Sequence, residues 1–139
     1  MGGLLVVAAA CWLSLASRAP AMPVQPTGSL EVARASASWD GSPLPPYPGG
    51  QPEVRVNRIT VPPGGSVPRH KHPYTTVGVV LAGRLAVIRD DGSFRVFSEG
   101  EVVVELPDRW HRGKNPGSEP LELLELHAGI AGEPVTIYE

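Results

Sequence analysis

Over residues 53–61 apolar and polar side chains alternate, with Val54, Val56 and Arg58 on one face and Arg55, Asn57 and Ile59 on the other, as a β-strand requires. Pro62-Pro63-Gly64-Gly65 closes that strand with a turn. Residues 77–81 are rich in β-branched side chains and predict a buried strand, Ala82-Gly83 turns the chain, and residues 84–89 return. Asp90-Asp91-Gly92-Ser93 is a hairpin turn before a strand over 94–97. Ser98-Glu99-Gly100-Glu101 turns again, an apolar strand runs over 102–106, and Pro107-Asp108 breaks it. After Asn115-Pro116-Gly117-Ser118 the pattern predicts a strand over 121–127, a glycine-bounded spacer over 129–132, and a last strand over 135–137. Short strands at this spacing predict an all-β sandwich or barrel, and 139 residues support one such domain.

Two segments precede the alternating region. Residues 4–16 are almost uninterruptedly apolar and lack the polar positions at a 3.6-residue period that a soluble helix shows. With Ala19-Pro20-Ala21 in the small-x-small form of a signal-peptidase site, the expectation is an export leader over 1–21 and a periplasmic or secreted protein that does not engage the membrane once the leader is removed. Met1-Gly2-Gly3 lacks the usual basic residue, and a structural helix or a lipid anchor at Cys11 are the alternatives; the residues around Cys11 make a poor lipobox. Residues 22–52 read as an arm, because Pro23, Pro26, Pro43, Pro45, Pro46, Pro48 and Pro52 interrupt any ladder. Leu30, Val32, Trp39, Leu44 and Tyr47 give the arm apolar groups to pack on a barrel over 53–139 or on a second subunit, as in a homodimer, and Trp39-Asp40-Gly41 reads as a turn with an anchoring ring.

Composition changes this picture in one respect. The 16 Gly and 16 Pro reinforce the reading of many turns, while a formal charge of -2 offers no basic excess, and no nucleic-acid-binding motif is present. The partner expected is a small molecule.

The chemistry concentrates in histidine. In an extended strand the side chains at i and i+2 share a face, so His70 and His72 can present two imidazoles to one ion. His111 opens a turn-rich segment suited to a strand returning beside the first, and supplies a third. Three imidazoles suit one divalent transition metal (Fe, Mn, Ni, Cu or Zn) better than Ca or Mg.

These residues resemble the motifs of the cupin superfamily. Gly64, five residues, His70-Lys71-His72 and Gly83 look like the first cupin motif; Gly100, Pro107, His111 and Asn115 look like the second. The resemblance covers residues 53–128 and implies a small β-barrel of jelly-roll type; the stretch from Trp39-Asp40-Gly41 to Tyr47 is also similar to the leader of small exported bacterial cupins. The family's usual ligands are two His and a Glu from the first motif and one His from the second, which places His70, His72 and His111 as metal ligands but puts Thr76 at the Glu position. The second motif is also one residue tighter between Pro107 and His111, with Arg109-Trp110 where a Gly is usual. The direct expectation is a three-His site completed by water, with Thr76 holding that water by a hydrogen bond.

Further residues bear on the site. Glu125 and His127 share a strand face with Leu121 and Leu123, so they either replace the missing acid and shuttle protons or form a polar strand end; the cost of burying an unpaired Glu favours the strand end. Arg69, Lys71, Arg109, Arg112 and Lys114 crowd the histidines and read as solvated loop charges or as a positive mouth that steers anions, and Trp110 and Tyr74 as pocket walls or core rings. Thr76, Glu125 and His127 are thus the candidate catalytic residues. The resemblance implies dioxygenase-like or isomerase-like chemistry on a small oxygenated compound, a non-catalytic binding module, or a structural barrel with an empty site, and the intact histidine set argues against the last.

Overall fold

The computed structural model describes residues 28–139, and the leader expected over 1–21 lies outside the described residues. From residue 31 the chain forms one compact unit. Nine strands are present among the described residues: β1 (Pro52–Val61), β2 (His70–Lys71), β3 (Thr75–Ala82), β4 (Arg84–Arg89), β5 (Phe94–Ser98), β6 (Val102–Val104), β7 (His111–Lys114), β8 (Leu121–Ile130) and β9 (Ile137–Tyr138). They form two antiparallel sheets, one in the order β1-β8-β3-β6 and the other β5-β4-β7-β2-β9. This is the all-β jelly-roll that the alternation and the motifs imply.

Period-two patterning selects what is buried. Along β8 Leu121, Leu123, Glu125, His127 and Gly129 face inward while the residues between them face out. Val61, Val80, Val103, Leu121 and Leu123 of the first sheet meet Leu85, Val87 and Phe97 of the second, forming one apolar core. That core fills one end of the sandwich and leaves the other end to histidines and carboxylates. Trp39 closes the apolar end, edge-on to Phe97 at 6.4 Å with its backbone N–H donating to Val104 O, so the expected anchoring turn is present. Val32 and Tyr47, by contrast, lie exposed and do not pack into the barrel.

Several strand boundaries differ from the sequence pattern: β3 begins at Thr75, β6 ends at Val104 instead of at 106, and β8 and β9 shift with their partners. β8 runs through Gly129 to Ile130 because β1 pairs with it residue for residue, from Pro52↔Ile130 to Val61↔Leu121. The last strand begins at Ile137 rather than at 135: it pairs with β2 through His70↔Tyr138 and Lys71↔Ile137, while Val135 is pulled inward as a buried plug.

Asn115 of the second motif has a structural task. Its side-chain amide donates to Val61 O and Glu119 O, its carbonyl oxygen accepts from Gly117 N–H, and its backbone brackets the Gly64-Gly65 turn. The two motifs are thereby tied together at the end of β1.

Candidate metal centre

The topology brings the three sequence-predicted histidines together. His70 on β2 lies directly opposite His111 at the start of β7, and His72 follows two residues on, bridged to Pro107. The turn into β7 passes through Asp108, whose φ of 50° lies in the left-handed region. The ring centroids of His70, His72 and His111 lie 4.5 to 5.3 Å apart, and each residue offers a ligand atom within 4.8 Å of the others.

Each imidazole is held by the backbone through its Nδ1. The Nδ1–H of His70 donates to Pro68 O at 2.7 Å, that of His72 to Val135 O at 3.1 Å, and that of His111 to Arg109 O at 2.8 Å. With Nδ1–H held by a carbonyl, the ring nitrogen left to present a lone pair is Nε2, the tautomer a metal ligand needs. Burial pushes His72 and His111 down to pKa values of about 4, so both are neutral at pH 7. The Nε2 atoms of His72 and His111 are buried without a hydrogen-bond partner, as is Oε2 of Glu105. Buried polar atoms are seldom left so, and a cation among the histidine electron pairs would satisfy them together, while Glu105 lies at the edge of that cluster beside His111. The donor set therefore fits a divalent transition metal.

Two carboxyls flank the histidines. Glu125 Oε1 lies 3.8 Å from His72 Nε2, and its Oε2 lies 3.0 Å from His127 Nε2. Both Glu125 and His127 are buried, which corrects the expectation of a solvated strand end: the Glu finds His partners inside, so its burial is compensated. Burial works against the Glu125 charge, but the hydrogen bond from His127 and the neighbouring His72 outweigh it and hold the group below the usual carboxylate range. Thr76 is buried as well. Its Oγ1 lies 3.0 Å from His127 Nδ1 and 3.2 Å from Tyr74 O, so its hydroxyl is engaged by that pair.

Glu105 was hidden in the sequence by the apolar run Val102-Val103-Val104 before it and Leu106 after it. It is 5% exposed, and its Oε2 lies 3.5 Å from His111 Nε2. Burial and the nearby Glu125 charge push its pKa up to about 8, so without a metal it is a neutral acid beside a neutral imidazole and the two make no ion pair. The available signal was parity: Glu105 is two residues beyond the buried Val103 on the same inward row.

The cationic residues do not form a positive mouth. Arg69 is paired with Asp90 and Glu139 and stacks over Trp110, Lys71 is paired with Asp108, and Arg109 reaches Asp40. Arg112 and Lys114 point outward from β7. Trp110 and Tyr74 do not line the histidine cavity, whereas Thr136 and Tyr138 do. The cavity is narrow, about 40 Å³, which admits an ion with a very small ligand.

A model of the cupin domain family matches residues 57–127. Among curated proteins, the alginate biosynthesis protein AlgA of Pseudomonas putida is 31% identical over 101 residues, covering 72% of this chain and 19% of that protein. A putative mannose-1-phosphate guanylyltransferase of Vibrio cholerae is 32% identical over 75 residues, 54% of this chain and 16% of that protein, so the chain spans only a small part of these relatives. Among solved structures, a recombinant oxalate oxidase in complex with glycolate superposes with a TM-score of 0.52 at 28% identity, covering 61% of this chain and 45% of that one. A Cupin 2 conserved barrel domain protein from Salinispora arenicola does so with a TM-score of 0.51 at 27% identity, over 63% and 73% of the two chains. With the family match spanning both histidine motifs and the two-sheet fold around them, the chain belongs to the cupin domain family.

Proposed function

We propose that this protein is an exported mononuclear metal-binding cupin in which His70, His72 and His111 hold one divalent transition metal and a small oxygenated compound binds beside it. The observation that carries this reading is the arrangement of the three imidazoles, each fixed through Nδ1 to a backbone carbonyl. A divalent metal held there supplies Lewis-acid activation of a ligand oxygen, and with Fe, Mn, Ni or Cu also redox chemistry. The chain's own residues hold a proton close by, in the hydrogen bond between His127 Nε2 and Glu125 Oε2, and the barrel wall of Leu85, Val87 and Leu123 lines the cavity beside it.

The cavity of about 40 Å³ favours ligands of a few heavy atoms over aromatic substrates, since pockets for drug-sized molecules run to roughly 300–1,000 Å³. Together with the likeness to an oxalate oxidase bound to glycolate, this points to two-carbon oxyacids for dioxygenase-like or isomerase-like turnover. The same small volume favours a second reading, a non-catalytic module that captures metal or a small anion. Export rests on the apolar run over 4–16 and Ala19-Pro20-Ala21. A homodimer joined through the outer face of the first sheet completes the proposal.

Elemental analysis of the purified protein, followed by oxygen uptake and product detection with oxalate, glycolate and small diketones, tests the reading. His70→Ala, His72→Ala and His111→Ala should each strip the metal yet leave a folded barrel by circular dichroism, because the apolar core supplies the stability. Metal retained at full occupancy in the His111→Ala protein would refute the three-histidine site. Loaded wild-type protein that binds the oxyacids without turning any over would favour the binding module.

A further inference from the structure

Thr76 stands where the family pattern places a carboxylate ligand, yet its hydroxyl is engaged by His127 and the Tyr74 carbonyl. The ladder shows where a carboxylate has gone. β3 pairs with β6 through Val77↔Val104, and one step further the Glu105 backbone N–H donates to Thr76 O at 2.9 Å. Glu105 is therefore the cross-strand neighbour of Thr76 on the inward face, and side chains so placed start only about 5 Å apart. An acid there can reach the same space as one at position 76.

The atoms at the end of the side chain support this. Glu105 Oε2 is buried and has no hydrogen-bond partner, and the nearest polar atom on the histidine side is His111 Nε2, which is also unpartnered. Their separation of 3.5 Å is too long for a good hydrogen bond, so a proton on either atom leaves the pair poorly satisfied. Two buried, unpartnered polar atoms facing one another at the histidine end of the barrel would both be satisfied by a cation that displaces the proton of the acid. Glu125 differs, because its Oε2 is already committed to His127 Nε2 at 3.0 Å and its Oε1, 3.8 Å from His72 Nε2, lies farther from a ligand nitrogen than Glu105 does. It is better placed as an outer support of the site.

We infer that Glu105 is the carboxylate ligand of this metal centre, carried just past the end of β6 beside Thr76 instead of at the motif position on β3. The inference rests on the three-histidine reading and adds a fourth protein ligand to it: the ligand atoms within 4.8 Å of one another are those of the three histidines, and Glu105, 3.5 Å from His111 Nε2, closes onto the ion by a side-chain rotation. The centre then has three imidazoles and one carboxylate, which leaves fewer positions open to water or anions than three imidazoles alone.

The test uses the full chain loaded with Zn(II) or Co(II) against a competing chelator, with the Co(II) visible spectrum as a report on coordination. Glu105→Gln preserves shape and should lower the affinity for both ions at least tenfold and change the Co(II) spectrum. Glu125→Gln and Thr76→Val should each have a smaller effect on affinity and leave the Co(II) band positions close to wild type. Restoring a carboxylate at the motif position, in the Glu105→Gln, Thr76→Glu double variant, should recover affinity. Should the amide variant not fold, Glu105→Asp withdraws the carboxylate by one methylene and should weaken binding in the same way. Wild-type affinity and spectrum in the Glu105 variant, with metal still lost from the histidine variants, would overturn the inference and leave the three-histidine reading standing; a wild-type protein that binds neither ion would overturn both.

Discussion

At the scale of single residues, the site is governed by which groups carry charge before a metal arrives. His72 and His111 have pKa values near 4, below the ordinary 6.5, because burial disfavours the imidazolium. Between those values the unfolded chain binds more protons than the folded one, so the metal-free fold loses stability as pH falls from about 6.5 towards 4. Glu105 acts in the opposite sense. Its pKa of about 8 lies above the ordinary 4.5, so the folded state keeps a proton that the unfolded chain releases, and stability falls as pH rises from about 4.5 through 8. Thermal melts of chelator-treated protein should therefore peak near about pH 6.5, and Glu105→Gln should remove much of the decline on the alkaline side. An alkaline limb identical in the two proteins would contradict the buried neutral acid. Glu105 also shows why part of the site was illegible: its acidic group sits in an otherwise apolar run, and only the parity of the strand reveals that it faces inward.

At the scale of elements, two glycines fix how closely the strands approach. Gly78 on β3 leaves room for its neighbours: a Cβ there would come within 2.7 Å of a Val103 methyl and 3.0 Å of a Leu123 methyl. Gly83, between β3 and β4, has a φ of 77°, and a Cβ on it would meet Pro120 O at 2.6 Å. Backbone cannot yield as a side-chain tip can, so Gly83→Ala combines left-handed strain with overpacking and should destabilise by about 2 kcal/mol or more. Urea unfolding checks this, and a midpoint equal to wild type would show that the Pro120 segment shifts freely. The sequence pattern placed this turn, because Ala82-Gly83 separates two apolar runs. It misplaced the ends of β8 and β9, because those boundaries depend on the length of the partner strand: β1 extends β8 to Ile130, and β2 offers β9 a partner only at Ile137 and Tyr138.

At the scale of the whole molecule, the outer face of the first sheet is apolar where solvent reaches it. Val54 and Val56 of β1, Leu124 and Leu126 of β8 and Leu81 of β3 are between 38% and 62% exposed, and at the rim Arg58 is already paired with Glu122. A contiguous patch of this kind is usually covered. A second copy of this chain is the proposed cover, since a flat antiparallel face matches itself about a two-fold axis and brings no unpaired charge into the contact. Native mass spectrometry of protein recovered from the cell envelope reads both whole-molecule proposals: the subunit should lack residues 1–21, and the assembly should be a dimer that Val56→Lys dissociates. A monomer at micromolar concentration would sink the dimer, and a subunit retaining Met1 would sink the leader.

The sequence by itself determined the all-β class, the succession of most strands along the chain, the histidine set and the anchoring role of Trp39, because period-two alternation, turn residues and i, i+2 spacing are local consequences of backbone geometry. Only the tertiary structure decided the rest. Whether Glu125 and His127 meet water or one another depends on β8 lying between β1 and β3, and whether the loop cations steer anions depends on Asp40, Asp90, Asp108 and Glu139 arriving beside them from distant segments. The location of a carboxylate next to the histidines is of the same kind. Thr76 and Glu105 are far apart in the chain, and they come side by side because a hydrogen bond just past β6 continues the β3–β6 register.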